Sequence, residues 1–100
     1  MNSNSVLLNN KDNVITALVN IDANDYAYYF KDNERCELLV TQNIPAYHKI
    51  ALEDMDLSKI VIKYGEPIGC TTSPIKTGGL VDHNNIGSMQ RNYDDEIVRC

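Results

Sequence analysis

The sequence predicts a small all-β domain. Three observations carry that prediction: short β-branched and aromatic runs, turn formers spaced between them, and only weak helical signals throughout. At 100 residues the chain holds one domain at most, and 43% apolar residues suffice for a core. Trp is absent and Phe occurs once, so aliphatic side chains and six Tyr must fill that core.

Taken in order, residues 1–5 are polar and expected to be disordered. The domain is expected to span residues 6–87. It opens with the apolar run Val6 to Leu8, closed by the turn-rich cluster Asn9-Asn10-Lys11-Asp12-Asn13. Val14 to Ile21 is β-branched and apolar, which suits a strand buried on both faces. Asp22 to Asp25 is a loop. Tyr26 to Phe30 reads as a strand with Tyr26, Tyr28 and Phe30 on one face. A longer charged loop, Lys31 to Arg35, joins it to Cys36–Thr41 as a hairpin. The central stretch, Ile44 to Gly69, holds two apolar segments, Ile50 to Leu52 and Ile60 to Ile62, each beside a cationic residue. Pro45 fixes the approach to the first; Gly65, Pro67 and Gly69 punctuate the exit from the second. Leu52 to Ser58 has room for one helical turn. Leu80 to Ile86 is a short strand with a polar end, and residues 88–100 form a polar C-terminal tail or linker. No internal repeat is legible.

A net charge of −5 with no basic run excludes a nucleic-acid surface. No apolar run approaches the length of a membrane span. The N-terminal residues show neither a basic region nor an apolar run of signal-peptide type, so a soluble cytoplasmic protein is expected. Three widely spaced cysteines suit neither a disulfide framework nor a zinc site, and are read as reduced thiols.

Candidate chemistry lies near strand ends. His48 beside Lys49 is a pair of donors suited to a carboxylate. Lys63 and Tyr64 place an ammonium and a phenol at a second strand end. In Asp82-His83-Asn84-Asn85 a period of two puts Asp82 and Asn84 on one side, offering two oxygens to a hydroxyl or metal. There is no catalytic-triad order, phosphate loop or dinucleotide fingerprint. These patterns alone leave a β domain of unassigned role.

Longer motifs go further. Asp12-Asn13-Val14, Ile44-Pro45-Ala46-Tyr47-His48-Lys49-Ile50-Ala51-Leu52, Val61-Ile62-Lys63-Tyr64-Gly65-Glu66-Pro67-Ile68-Gly69 and Asn85-Ile86 occur in that order. Together they resemble the N-terminal domain, or separate small subunit, of the altronate and galactarate dehydratases, over roughly residues 6–87. The resemblance implies a β-clip fold of SAF type. It implies a hydro-lyase that removes water from a sugar acid to give a 2-keto-3-deoxy acid. It also implies a divalent metal, iron or manganese, held mainly by a large catalytic subunit or domain, with no metal ligand assigned here. By resemblance His48 and Lys49 are catalytic, while Lys63, Tyr64, Asp82, Asn84 and Asn85 bind substrate. Tyr47 stands where the family usually has Gly, Asp82 and Asn84 replace two histidines, and Cys70 replaces an Arg. The expected partners are the large subunit and a sugar acid, with self-association through the Tyr26–Phe30 strand. Other readings are a non-catalytic sugar-acid-binding module, an oligomerisation module, or the small subunit of a related sulfolactate lyase.

Overall fold

The computed structural model describes residues 3–92 and 97–99. Among them there is no helix, and the strands are β1 (Ser5–Val6), β2 (Val14–Ala17), β3 (Tyr26–Lys31), β4 (Glu34–Leu39), β5 (Lys49–Ala51), β6 (Ile60–Lys63), β7 (Glu66–Thr71), β8 (Leu80–Val81), β9 (Ile86–Gly87), β10 (Gln90–Asn92) and β11 (Ile97–Arg99). The all-β prediction holds. An antiparallel sheet in the order β1-β2-β5-β8 forms the centre, and two hairpins, β3–β4 and β6–β7, extend from it. β9 pairs with β7, and β10 with β11.

The central sheet is buried on both faces, as expected for the start of the run after Asn13. The strand ends at Ala17, however, and Leu18 and Val19 are exposed in the turn that follows instead of continuing it to Ile21. Ile15, Ala17 and Ile50 face one cluster with Ile21, Ala27, Val40 and Ile44. Val14, Ala51 and Val81 face the other, with Met55, Val61 and Ile75. Each such side chain taken fully out of water contributes about 1.5–3 kcal/mol, which is how short strands hold together without helices.

The chain contains an internal repeat that its sequence hides. Four nine-residue turns, 18–26, 41–49, 52–60 and 72–80, share one conformation. The fourth residue of each is a buried aliphatic that forms a lone bridge to its partner turn, Ile21 to Ile44 and Met55 to Ile75. The seventh has a positive φ: Asn24 (72°), Tyr47 (71°), Ser58 (64°) and Gly78 (84°). That seventh amide donates to the residue before the partner turn, at Val40, Ala17, Thr71 and Ala51 respectively. The third residue supplies a side-chain oxygen to the partner's backbone, Asn20 to Ala46 N–H, Asn43 to Ala23 N–H and Asp54 to Thr77 N–H, each at 2.8–2.9 Å. Pro74 takes the fourth such position and has no side-chain acceptor. Apart from the bridging aliphatics the turns share little residue identity, because most contacts are made by backbone.

Several local expectations change with this geometry. Leu52 to Ser58 belongs to a repeated turn, not to a helix. The first hairpin closes on two residues, Asp32 and Asn33, both with positive φ (51° and 67°), rather than on a longer loop. The second closes in the same manner on Tyr64 and Gly65 (59° and 73°). Pro67 and Gly69 do not end a strand; they lie inside β7, opposite Ile62 and Val61 across a register shift in β6. Such a shift is one of the places where a sheet tolerates Pro. Residues 82–85 form a turn between β8 and β9, so the period-two argument for Asp82 and Asn84 does not apply there. Within the start expected to be disordered, Asn4 exchanges backbone and side-chain hydrogen bonds with Tyr28, and the Ser5 hydroxyl donates to Tyr28 O at 2.9 Å. Cys36 is a free thiol whereas Cys70 is disulfide-bonded, which corrects the reading of reduced thiols; an odd count obliges only one of three to stay free.

Asp12 and Asn13, read only as turn formers, are buried and tie the second hairpin to the centre. Asn13 acts as a surrogate strand: Nδ2 donates to Ile60 O and Oδ1 accepts from Ile62 N–H. The Asp12 carboxylate accepts from Tyr64 N–H at 3.1 Å and Gly65 N–H at 2.8 Å, capping the hairpin turn. Hydrogen bonds to a charged acceptor contribute roughly 1.5–3 kcal/mol each. Asp12→Ala should therefore lower the unfolding free energy by about 2–3 kcal/mol, and Asp12→Asn by less, as measured by urea denaturation. Tyr47→Gly should act the other way: a left-handed non-glycine costs roughly 1–2 kcal/mol, so relief of about 0.5–1 kcal/mol is expected in the same assay.

Candidate functional site

Lys49 opens β5 and lies opposite Thr16 of β2 on one side and Val81 of β8 on the other. Directly opposed residues share a face, so Lys49 stands on the same face as Val14, Ala51 and Val81, at its polar end. The ammonium is half-buried, and its pKa is lowered first by burial and then by the charge of Lys63; the charge of Asp82 opposes that fall. The fold has thus brought three of the residues singled out in sequence, Lys49, Lys63 and Asp82, within electrostatic reach. They come from β5, the end of β6 and the turn after β8, separated by 14 and 19 positions along the chain.

Each is held by local structure. Lys63 pairs with Glu66 across the hairpin end, and its ammonium lies over the Tyr64 ring at 5.2 Å. Tyr64 is exposed in the left-handed turn that Asp12 caps. Asp82 Oδ1 accepts from Asn84 N–H at 2.9 Å, which fixes the tight turn. Asn85 is structural: its Oδ1 accepts from Asp82 N–H and its Nδ2 donates to Leu80 O at 2.7 Å. Asn84 is exposed, with Nδ2 at 3.4 Å from Asp82 Oδ2. The Asp82 and Asn84 side chains thus engage each other instead of forming an open pair of oxygens.

His48 is placed less tightly. Its ring Nδ1 lies 3.3 Å from Ala46 O, while its backbone accepts from Ala17 N–H. His48 and Lys49 are neighbours at the end of a repeated turn, but no hydrogen bond links the imidazole to the Lys49, Lys63 and Asp82 group among the described residues.

Sequence reasoning missed Thr16. Its hydroxyl is buried with no hydrogen-bond partner among the described residues, and it sits across the ladder from Lys49. An orphaned buried hydroxyl costs roughly 1–3 kcal/mol. Beside a half-buried ammonium, that hydroxyl is a donor awaiting an acceptor. A Thr in the middle of Val-Ile-Thr-Ala carries no sequence signal other than being polar in an apolar run.

Two clefts lie away from the group: about 320 Å³ beside Ile21 and Ile44, and about 490 Å³ beside Asn13, Lys59 and Pro67. No helix among the described residues is long and apolar enough to cross a membrane.

Fold and charged cluster together define a small all-β module that brings Lys49, Lys63 and Asp82 together at the polar end of the central sheet, next to a buried hydroxyl. Residues 3–89 match the family model of the altronate/galactarate dehydratase SAF domain, and the chain belongs to that family. No curated protein matches the chain. The family match makes this chain a domain of sugar-acid dehydratase type. The divalent metal that such enzymes imply finds no ligand set among this chain's described residues. Among those described, no three of His, Cys, Asp and Glu come together as ligands, and Asp82 is engaged with Asn84.

Lys49 gives a prediction in which stability and function part. A lysine with a lowered folded pKa binds fewer protons folded than unfolded in the window between the two values. Stability should therefore rise as pH climbs from the folded pKa toward the ordinary lysine value. Lys49→Met should abolish that rise in urea midpoints measured across the alkaline range. At neutral pH it should leave the melting temperature unchanged or higher.

Proposed function

We propose that this chain is the small SAF module of a sugar-acid dehydratase, lending cationic donors to a site that a large catalytic subunit or domain completes. The observation that supports the reading is Lys49 under the charge of Lys63, at the end of the central sheet, with the buried, unpartnered Thr16 hydroxyl across the ladder from it. Loss of water next to a carboxylate develops negative charge on an enediolate, and fixed cations at that position stabilise it. The charge of Lys63 disfavours the charged form of Lys49 until an anion arrives between them. Binding a carboxylate at Lys49 and Lys63 relieves that repulsion, so the module is suited to an acidic substrate.

In this reading Lys49 and Lys63 hold the substrate carboxylate. Tyr64 is exposed and placed to approach the sugar hydroxyls, as is Asn84 beside Asp82. His48 serves proton transfer only if the partner draws substrate across the 41–49 turn. Asn85 and Asp82 position the turn rather than touch substrate. The divalent metal, iron or manganese, belongs to the partner. Altronate and galactarate are the substrates to test first.

The experiment is reconstitution. Residues 1–100 alone, supplied with iron or manganese, should release no 2-keto-3-deoxy acid from altronate or galactarate. Titration with a large dehydratase subunit should restore turnover that saturates at a fixed ratio of the two chains. In that assembly Lys49→Met and Lys63→Ala should each lower kcat/KM at least tenfold, about 1.4 kcal/mol of transition-state stabilisation. His48→Ala should lower turnover far more than melting temperature. Robust turnover by the isolated chain, or losses no greater than a Ser3→Ala control gives, would overturn the reading.

A further inference from the structure

The repeated turns supply their own comparison. In each reciprocal pair the seventh amide of one turn donates to the residue just before the other, so the seventh residue stands at its partner's start. At three of the four places the side chains are polar, small or half-buried. Asn24 stands at the start of Thr41-Gln42, Ser58 at Thr72-Ser73, and Gly78 at Leu52-Glu53, where Leu52 packs against the first core cluster. The fourth place holds Tyr47 with Leu18 and Val19, which are 75%, 42% and 50% exposed. The turn therefore folds without an exposed apolar group at this position. Tyr47 also carries its ring at a φ of 71°, a left-handed conformation that a bulky residue adopts only at a cost. A cost repaid neither by burial nor by the needs of the turn points to a contact outside the chain.

We propose that Tyr47, Leu18 and Val19 are the patch on which the large catalytic subunit or domain docks, an inference that rests on the function proposed above. Continuity with the site selects this occupant. Lys49 lies two residues after Tyr47, and Thr16, opposite Lys49, lies two residues before Leu18. Between them Ala17 N–H donates to His48 O, and Tyr47 N–H donates to Ala17 O, so the two chains stay paired up to the patch. Two residues of chain span at most about 7 Å. A partner that brings its own groups up to Lys49 therefore arrives over the patch as well.

Charge argues against a second copy of this chain in that place. Two copies seated patch to patch would bring a second Lys49 toward one whose charged form Lys63 already disfavours. The surface that fits is an apolar hollow beside the partner's half of the site, into which the Tyr47 ring inserts. Aromatic side chains seated in such hollows carry a large share of binding energy. Docking and folding then make opposite demands on Tyr47. Glycine there relieves the backbone and removes the anchor.

The test is a calorimetric titration of the full chain with the large dehydratase subunit that restores turnover. Tyr47→Gly should weaken binding tenfold or more while raising the urea midpoint of the chain alone. Leu18→Ser should weaken binding in the same direction, with urea curves checking that it is folded. At saturating concentrations of either variant kcat should return to the wild-type value. Ser58→Gly relieves the backbone at an equivalent turn position and should leave both binding and turnover unchanged. Lys49→Met should behave in the opposite way to Tyr47→Gly, lowering kcat/KM with binding of the subunit unchanged. If turnover is restored and Tyr47→Gly binds as tightly as wild type, the patch is wrong and the proposed function stands. If the wild-type chain binds no large dehydratase subunit, both fall. A chain that sediments alone as a dimer, and as a monomer after Tyr47→Gly, would assign the patch to a second copy and overturn the proposal.

Discussion

Every part of this domain depends on turns that satisfy one another's backbone. With no helix and with strands of only two to six residues, ladders alone leave much of the chain without hydrogen-bond partners. Unmade buried hydrogen bonds cost enough to unfold a chain of this size. The four nine-residue turns answer that constraint in two reciprocal pairs, each bridging aliphatic exchanging both backbone bonds with its counterpart at 2.7–2.9 Å. The buried Ile or Met at each bridge then seals the pair against a core cluster. Local geometry and burial are one arrangement here, and neither is stable without the other.

From that arrangement follows a tandem organisation. Residues 14–51 make a strand, a turn, a hairpin, a turn and a strand; residues 49–81 repeat the order and share β5. Both hairpins close on two residues of positive φ flanked by Lys and Glu, Lys31-Asp32-Asn33-Glu34 and Lys63-Tyr64-Gly65-Glu66. The two have diverged in use. Asp12 and Asn13 clamp the second hairpin to the sheet, so Lys63 is delivered toward Lys49. The first is held along its β3 side by Asn4 and Ser5, and at its tip by Asn10 on Asp32.

The shared strand also explains where the cations meet. β5 is the last strand of the first unit and the first of the second, so a residue at its start is flanked by β2 and β8 at once. A lysine there is half-buried yet backed by a rigid ladder. Such a position holds charge at a fixed place.

The sequence by itself determined the all-β class, the doubly buried run from Val14, the strand pair around Tyr26 and Cys36, and the family through the motifs of its central stretch. Those features are local: they follow from β-branched runs and from glycine and proline at fixed offsets. Lys49, Lys63 and Asp82 were legible as individual candidates, but their proximity was not, since it arises from pairing β2, β5 and β8. The repeat was invisible because backbone rather than side chains makes most of its contacts, so Asn24, Tyr47, Ser58 and Gly78 fill equivalent positions. Asp12 and Asn13 read as loop residues, because turn chemistry and long-range capping use the same side chains. Thr16 gave no signal at all; only the ladder sets its unpaired hydroxyl across from Lys49. Composition and spacing fix what can be buried, whereas tertiary pairing decides which polar groups are left facing one another.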